Sequence, residues 1–568
     1  MEVTVQATFV ATLVDEWVRG GVRHAVVAPG SRSTPLALAL AGDGRLRLHV
    51  HLDERSAGYL ALGLALAEGT PAVVLTTSGT AAVELHPAVV EAAQSRIPMI
   101  VCTADRPADL QGVGAPQTID QSHLYGRSTR WFADPGLADG ALAGTWRSLA
   151  SRAVAEATGP PAGPVQLNLA FRDPLVAAPG ALPDGRPDGR PWHAVARARG
   201  LPDVGDEENA LALLRVPRGV IVAGRGAAWD WVAPVAKAFG WPVLADPGSS
   251  CRRPDEVTVS AGDALLRDPT FAAGHRPQAV LRVGGLPASK VLAQWLAGAG
   301  ADQVVLDEHG AWPDPDRTAS LVLRGDPEAW CRRLAAHPPD RLEPAWLSGW
   351  TSAEAAAQRA FATVLAGHDE VTEPGVARRL LAALPDGSTL VCSSSMPVRD
   401  VEWYGAPRSG VRVLANRGAN GIDGVVSTAV GVATGAGGPT ALLIGDLAFL
   451  HDANGLLGLA GRALDLTIVV VDNQGGGIFS FLPQAGALPG DRFELLFGTP
   501  QDVDLRGLVT AHGLPVLEAH DREGFDVALA ATLTTSGTQV VLVRTDRTAN
   551  VAVHTELYEA VGAALAEG

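Results

Sequence analysis

Along the first hundred residues the apolar positions switch between two spacings. Phe9, Leu13 and Trp17 recur every four residues and share one face of a helix. Ala25-Val26-Val27 is a short apolar run ending at Pro29-Gly30, which predicts a strand closed by a turn. The alternation then repeats, predicting a strand at 46–50, an alanine-rich helix at 56–67, a strand at 72–76, a helix at 80–93 and a strand at 99–103. The strands at 72–76 and 99–103 show no polar alternation, so both of their faces are predicted to be buried. Strands of this type with helices between them predict a parallel sheet covered on both sides.

Residues 177–192 (AAPGALPDGRPDGRPW) lose all periodicity and read as a linker. A second strand-and-helix pattern follows, with strands predicted at 219–223, 242–245, 279–283 and 303–306, and a loop-rich break near 337–344. A third begins near Val376, with strands predicted at 389–392, 440–444, 466–471 and 539–543. The longest uncharged run, 424–444, could span a bilayer by length. It is rich in Gly, Ser and Thr and is broken by Gly437-Gly438-Pro439, so a buried helix, a turn and a buried strand are predicted instead. A chain of 568 residues exceeds what one core can organise. The fold expected is α/β, with three consecutive doubly wound parallel-sheet domains at 1–180, 193–340 and 355–568.

Composition narrows the function. A hydrophobic content of 47% with 19% charged residues excludes a disordered chain. A formal net charge of −16 argues against nucleic acid or an anionic membrane as the main partner. The N-terminus lacks the basic start of a signal peptide. Cys102, Cys251, Cys331 and Cys392 are scattered without a C-x-x-C, so neither a disulfide framework nor a zinc site is expected, and a cytoplasmic location is.

Candidate chemistry begins at Gly445-Asp446-Leu447-Ala448-Phe449 and at Asp472-Asn473-Gln474-Gly475-Gly476-Gly477. Each segment follows an apolar strand, at the end where open α/β sheets bind ligands. Asp446 and Asn473 supply hard oxygen ligands of the kind magnesium takes, and a backbone carbonyl with diphosphate oxygens would complete the shell. The glycines let backbone N–H groups approach phosphate. Either half alone is equally an ordinary strand-end turn. Asp53-Glu54-Arg55 also follows a strand, where Glu54 could be no more than a helix-start carboxylate.

Together these segments resemble the thiamine-diphosphate-dependent enzymes, whose metal motif has Gly-Asp and then an Asn, here 27 positions after Asp446. The usual glycine after the Asp is Leu447 here. Ala28-Pro29-Gly30-Ser31-Arg32-Ser33, Thr77-Ser78-Gly79-Thr80, Thr103-Ala104-Asp105-Arg106-Pro107, Asn416-Arg417-Gly418-Ala419-Asn420-Gly421-Ile422-Asp423-Gly424 and Gly475-Gly476-Gly477-Ile478-Phe479-Ser480 narrow the resemblance. They are similar to the 2-succinyl-5-enolpyruvyl-6-hydroxy-3-cyclohexene-1-carboxylate synthase family of menaquinone biosynthesis. The match is strongest in the first and third domains, and in the middle one it reduces to Ser289-Lys290.

The resemblance implies a thiamine-diphosphate-dependent transferase of the carboligase type. It implies that 2-oxoglutarate loses carbon dioxide and that the succinyl-semialdehyde carbanion adds to isochorismate in a 1,4 fashion. It implies thiamine diphosphate with Mg2+ or Mn2+ as cofactors. Asp446, Asn473 and the Gly475 carbonyl would hold the metal. Gly445, Leu447, Ala448, Gly476, Ile478 and Phe479 would line the cofactor, Ile422 would wedge beneath it, and Glu54 would bond its aminopyrimidine ring as the catalytic carboxylate. Ser31, Arg32, Arg106, Gln117 and Lys290 would face isochorismate, and Ser395, Arg399 and Arg417 the oxoglutarate, with Ser394 standing where the family has Asn. A homodimer or a dimer of dimers follows, with active sites at the subunit interface. Independently of the resemblance, Arg32, Arg106, Arg399 and Arg417 each lie near a strand end of an acidic protein, which suits dicarboxylate substrates.

Two other readings stay open at this point. An acetohydroxyacid-synthase-like enzyme acting on pyruvate would need fewer cationic groups. A non-catalytic cofactor sensor would not need Glu54. Gly224-Arg225-Gly226 begins like a dinucleotide loop but lacks the third glycine, and reads as the turn of the middle domain without nucleotide. His51 and His451 are read as structural or solvent-facing.

Overall fold

A computed structural model describes residues 3–196 and 203–567. Three parallel six-stranded sheets succeed one another along the chain, each flanked by helices. In the first sheet the strands, counted along the chain, lie side by side in the order 2-1-3-4-6-5, and the third sheet repeats that order. The middle sheet is ordered 3-2-1-4-5-6, the arrangement of dinucleotide-binding folds.

The apolar runs form the buried strands. Ala72–Thr76, Gly219–Ala223, Ala279–Val283 and Thr389–Cys392 fall on the expected residues, and each is buried along its length. Phe9, Leu13 and Trp17 are buried on the first helix, Val5–Arg19. The run 424–444 becomes the helix Val425–Gly435, a turn and the strand Thr440–Gly445. The helix expected over 80–93 is two, Thr80–Glu84 and His86–Ser95. Pro87 explains the break, because it has no N–H to continue the first helix and suits the opening turn of the second. Residues 177–192 are irregular, and they run along the first domain rather than away from it. Gly180 N–H donates to Thr8 Oγ1, Arg147 Nε to the Pro183 carbonyl, and Arg19 Nη1 to the Arg186 carbonyl.

One apolar core is shared by the first and third sheets. Leu60 and Leu64 of helix Glu54–Glu68 pack with Val425, Ala429 and Val432 of helix Val425–Gly435. The two helices cross closely because Gly63 and Gly431 meet there, where a Cβ on Gly63 would lie 2.1 Å from the Thr428 carbonyl oxygen. The middle sheet joins the third through Trp346, Trp350 and Phe361 of helix Pro344–Gly367 and Leu557 and Val561 of the final helix, Arg547–Glu567. All four cysteines are buried free thiols. No helix among the described residues is long and apolar enough to cross a membrane.

The Gly224 turn is filled by protein. A Cβ on Gly224 would lie 1.6 Å from the Gly285 carbonyl oxygen, and Gly285 N–H donates to the Arg225 carbonyl (2.8 Å). The glycine there allows two loops to pack, whatever the strand order of the sheet.

Candidate active site

Four strands of the third sheet deliver their following residues to one place. Thr389–Cys392 leads into Ser393-Ser394-Ser395, Arg412–Leu414 into Asn416 and Arg417, Thr440–Gly445 into Asp446, and Leu466–Asp472 into Asn473. The last two strands are adjacent, with Gly445 opposite Val471, so residues 27 apart in sequence meet. Gly475 N–H donates to Asp446 Oδ2 (2.8 Å). Gly475 sits at φ +141°, and a Cβ there would come within 2.1 Å of the Gly498 carbonyl oxygen, so only glycine fits.

Asp446 is buried, and that burial pushes its carboxyl up to about 6 against the hydrogen bonds from Leu447 and Gly475. Asn473 is buried as well. Its Nδ2 donates to Glu373 Oε1 (2.8 Å), while its Oδ1 is buried without a hydrogen-bond partner. A buried amide oxygen without a protein partner, beside a buried carboxylate, is costly unless something else bonds it. It is the donor pair a hard divalent cation requires. No group of three or more His, Cys, Asp or Glu among the described residues is placed to hold a metal. The pair therefore suits a cation that brings most of its oxygen ligands with it, as a diphosphate-bound one does, and the residues present fit thiamine diphosphate with magnesium or manganese.

These groups open into a cavity of about 420 Å³. Gly445, Leu447, Ala448, Gly476, Ile478, Phe479 and Ile422 line it, together with Ser395, Arg399 and Arg417. Ser395 is held at φ +73°, a strained conformation for serine of the sort that accumulates at functional sites. Its carbonyl accepts from Arg399 Nη1 (2.6 Å). Burial, and then the charge of Arg417, make Arg399 less basic than an ordinary arginine. Among the described residues the Arg417 guanidinium pairs with no carboxylate. Two cationic groups thus repel one another beside the Asp446–Asn473 pair, which is the electrostatics of an anion site. A larger cavity of about 560 Å³ lies by Tyr59, His86, Glu91 and Ala419. It carries none of the metal-loop residues, so the smaller one is the chemical site.

The other expected residues lie outside that cavity. Arg106, at the end of strand Met99–Asp105, donates through Nη1 to Ser78 Oγ and to the Gln117 carbonyl (2.9 Å). Arg32 donates to the Phe171 carbonyl (3.0 Å). Burial, and then the charge of Arg32, lower the basicity of Arg106, so the two arginines face each other much as Arg399 and Arg417 do. Ser31 and Gln117 are exposed beside them. Glu54 opens helix Glu54–Glu68 and is half-buried. Its neighbours are tied to the third domain of the same chain, Arg55 to the His451 carbonyl and Asp53 to Asn454. Lys290 is exposed at the start of helix Lys290–Gly298. His51 is buried, and burial lowers its basicity.

Comparison with known proteins matches the same three units. The N-terminal thiamine pyrophosphate binding domain of thiamine pyrophosphate enzymes matches residues 7–124, their middle domain residues 187–392 and their C-terminal thiamine pyrophosphate binding domain residues 403–543. A 2-succinyl-5-enolpyruvyl-6-hydroxy-3-cyclohexene-1-carboxylate synthase of Myxococcus xanthus is 44% identical, covering 98% of this chain and 97% of its own. The chain belongs to this synthase family. The synthase of Thermobifida fusca is 45% identical over 97% of this chain and 98% of its own, and that of Chloroflexus aurantiacus 44% over 98% and 97%. The fold is also that of a Mycobacterium smegmatis protein solved by X-ray and described as thiamin diphosphate-dependent, with a TM-score of 0.71 at 19% identity over 94% of this chain and 99% of that one.

The synthase-family motifs do not include every group that shapes the cavity. Glu373 lines it, accepts from Asn473 and from Thr545 Oγ1 (3.1 Å), and is pushed up to about 8 by burial and then by the charge of Asp400. In the sequence it is only the first residue of a helix behind the Thr372 cap, which gives no signal of a site. Asp400 lies behind Arg399, 3.2 Å from His554 Nε2, and its partner is 154 residues away in sequence.

Proposed function

We propose that the protein decarboxylates 2-oxoglutarate and joins the remaining four-carbon unit to isochorismate, as a 2-succinyl-5-enolpyruvyl-6-hydroxy-3-cyclohexene-1-carboxylate synthase of menaquinone biosynthesis in the cytoplasm. One observation carries this reading: Arg399 and Arg417, without carboxylate partners among the described residues, open into the same cavity as Asp446 and the unpaired oxygen of Asn473. The second carboxylate of a dicarboxylate needs such a cationic end, whereas pyruvate has a methyl group in that place.

Bound thiamine diphosphate would supply the nucleophilic carbon and then accept the electron pair released with carbon dioxide. Asp446, Asn473 and the Gly475 carbonyl would hold its metal, and the backbone at Gly445, Leu447, Ala448 and Gly476 would border its diphosphate. Ile422 would press the rings together, with Ile478 and Phe479 excluding water above them. Arg399 and Arg417, with Ser395, would orient 2-oxoglutarate. Glu54 would hold a proton at the aminopyrimidine nitrogen. Ser31, Arg32, Arg106 and Gln117 would receive isochorismate, with Lys290 reaching in from the middle domain (193–340).

The first-domain set (1–180) and the third-domain set (355–568) occupy different places in one chain. The reading therefore includes a homodimer as its smallest active unit, in which a second copy brings Glu54, Arg32 and Arg106 to the cavity. Pairs of such dimers fit the same scheme. The decisive test incubates the protein with thiamine diphosphate, magnesium, 2-oxoglutarate and isochorismate and weighs the product. Faster carbon dioxide release from pyruvate than from 2-oxoglutarate would sink the assignment.

A further inference from the structure

Glu91 is a buried carboxylate that none of the proposed chemistry uses. It lies in helix His86–Ser95 of the first domain and is 2% exposed. Its two oxygens accept from consecutive backbone N–H groups of the third domain in the same chain, Oε1 from Gly418 (2.8 Å) and Oε2 from Ala419 (2.7 Å). Oε1 also accepts from Ser95 Oγ (2.6 Å). Ser95 in turn receives the Arg225 guanidinium, through Nη1 on its hydroxyl (3.3 Å) and Nη2 on its carbonyl (3.2 Å). One chain of hydrogen bonds thus runs from the Gly224-Arg225-Gly226 turn of the middle domain through the first domain to the loop that carries Arg417.

The geometry is specific to that loop. A Cβ on Gly418 would lie 2.8 Å from the Glu91 carbonyl oxygen and 2.7 Å from Ser95 Oγ, so glycine is what lets the loop reach the carboxylate. Gly418 and Ala419 directly follow Arg417, whose guanidinium pairs with no carboxylate among the described residues, so the anchoring of this loop falls to its backbone. A carboxylate bridging two adjacent N–H groups is a charge-assisted clamp, stronger than neutral hydrogen bonds. Ile422, three residues further on, is held separately: Tyr59 OH donates to Asp423, and Gly424 at φ +65° packs against the Tyr59 ring.

We propose that Glu91 is a positioning residue for the 2-oxoglutarate end of the site: it clamps the Arg417 loop from outside the cavity, with Ser95 and Arg225 holding the clamp. This rests on the function proposed above and adds the residue that sets Arg417 in place.

The test measures carbon dioxide release by the full protein with thiamine diphosphate and magnesium, for wild type, Glu91→Gln and Ser95→Ala. The glutamine keeps the volume but turns an N–H2 group toward one of the two loop N–H donors. Small misplacement of a substrate-orienting group costs up to about a hundredfold, so KM for 2-oxoglutarate should rise roughly tenfold in Glu91→Gln. The magnesium-dependent affinity for thiamine diphosphate, read by calorimetry, should stay within about twofold, because Asp446 and Asn473 are held by other bonds. Ser95→Ala removes only the hydroxyl link and should raise the same KM by roughly threefold, which keeps the test alive if Glu91→Gln does not fold. An unchanged KM in a folded Glu91→Gln protein, or in Ser95→Ala, overturns the proposal. So does equal weakening of oxoglutarate and cofactor, which is the mark of a merely structural staple. A wild-type protein that releases no carbon dioxide from 2-oxoglutarate overturns the proposed function itself, an outcome distinct from failure of the clamp.

Discussion

Replacing Arg399 and Arg417 singly by lysine tests the substrate assignment most directly. Both guanidinium groups face the cavity, and burial together with the charge of Arg417 makes Arg399 less basic than usual, so the pair stores repulsion that an anion relieves. Lysine keeps the charge but loses the planar fork that grips a carboxylate through two N–H groups. Losing one hydrogen bond to a charged partner costs about 1.5–3 kcal/mol in a half-buried setting. At about 1.4 kcal/mol per decade, KM for 2-oxoglutarate should rise roughly 10- to 150-fold in either variant. The assay is initial-rate carbon dioxide release against 2-oxoglutarate concentration, followed by product formation against isochorismate at saturating 2-oxoglutarate. KM for isochorismate should move by less than about threefold, because its proposed cations are Arg32, Arg106 and Lys290. An unchanged KM for 2-oxoglutarate, or a rise confined to isochorismate, would refute the placement of the two substrates.

Glu54→Gln should retain cofactor binding and lose most turnover, checked by calorimetry and product formation; near-normal turnover would remove its assigned role. Asp446→Ala should abolish the magnesium dependence of cofactor affinity in a calorimetric titration, whereas an unaltered titration would place the metal elsewhere. Mixed with subunit exchange, the inactive Glu54→Gln and Asp446→Ala proteins should recover activity toward about a quarter of wild type, because a hybrid dimer regains one intact site of two; no recovery despite demonstrated exchange would mean both groups act within one chain. Glu402 is buried, and that burial, with Asp246 and Asp263 nearby, pushes its carboxyl up to about 8 from 4.5. The folded state then holds a proton that the unfolded chain releases, so its contribution to stability is full below about pH 4.5 and is lost as the pH rises to about 8. Glu402→Gln can keep the bond from Ser289 N–H (3.0 Å), so its melting temperature relative to wild type should rise between pH 5 and pH 8, by an amount on the order of a few kcal/mol in stability; a difference that does not change with pH would refute the shift.

What the residue pattern revealed mostly follows burial, although the exposed edge strand Arg47–Val50 is also expected, at 46–50. Strands with both faces covered are apolar runs, and Ala72–Thr76 or Ala279–Val283 could be read directly. Edge strands such as Thr258–Val259, Arg412–Leu414 and Trp131–Ala133 are two or three residues long and leave no run to find. Ala319–Arg324 and Val516–Ala519, also at sheet edges, are partly exposed and equally silent. Pro164–Ala170 was hidden for the opposite reason. It is buried, but Gln166 and Asn168 interrupt its apolar pattern, because they join a polar network with Thr103, Asp105 and Gln121 that only the folded sheet reveals.

The candidate site divides in the same way. Asp446 and Asn473 are far apart in sequence but follow adjacent parallel strands, so a motif and a topology rule suffice to bring them together. Arg32, Glu54 and Arg106 obey that rule equally well, each following a strand of the first sheet. The rule names the end of a sheet and cannot say which sheet end a group will meet. Both sheets have the order 2-1-3-4-6-5, and each gathers part of the expected site at its C-terminal edge. Within one chain the two are joined back to back through the glycine-lined crossing of helices Glu54–Glu68 and Val425–Gly435, and the first-domain set stays outside the third-domain cavity. Each sheet end carries two neighbouring arginines, and on the proposed reading bringing copies together is the step that would pair an isochorismate half with an oxoglutarate half. Glu91 and Arg225 would have no place in that exchange, because their hydrogen bonds run within one chain, from the middle domain through the first to the Arg417 loop.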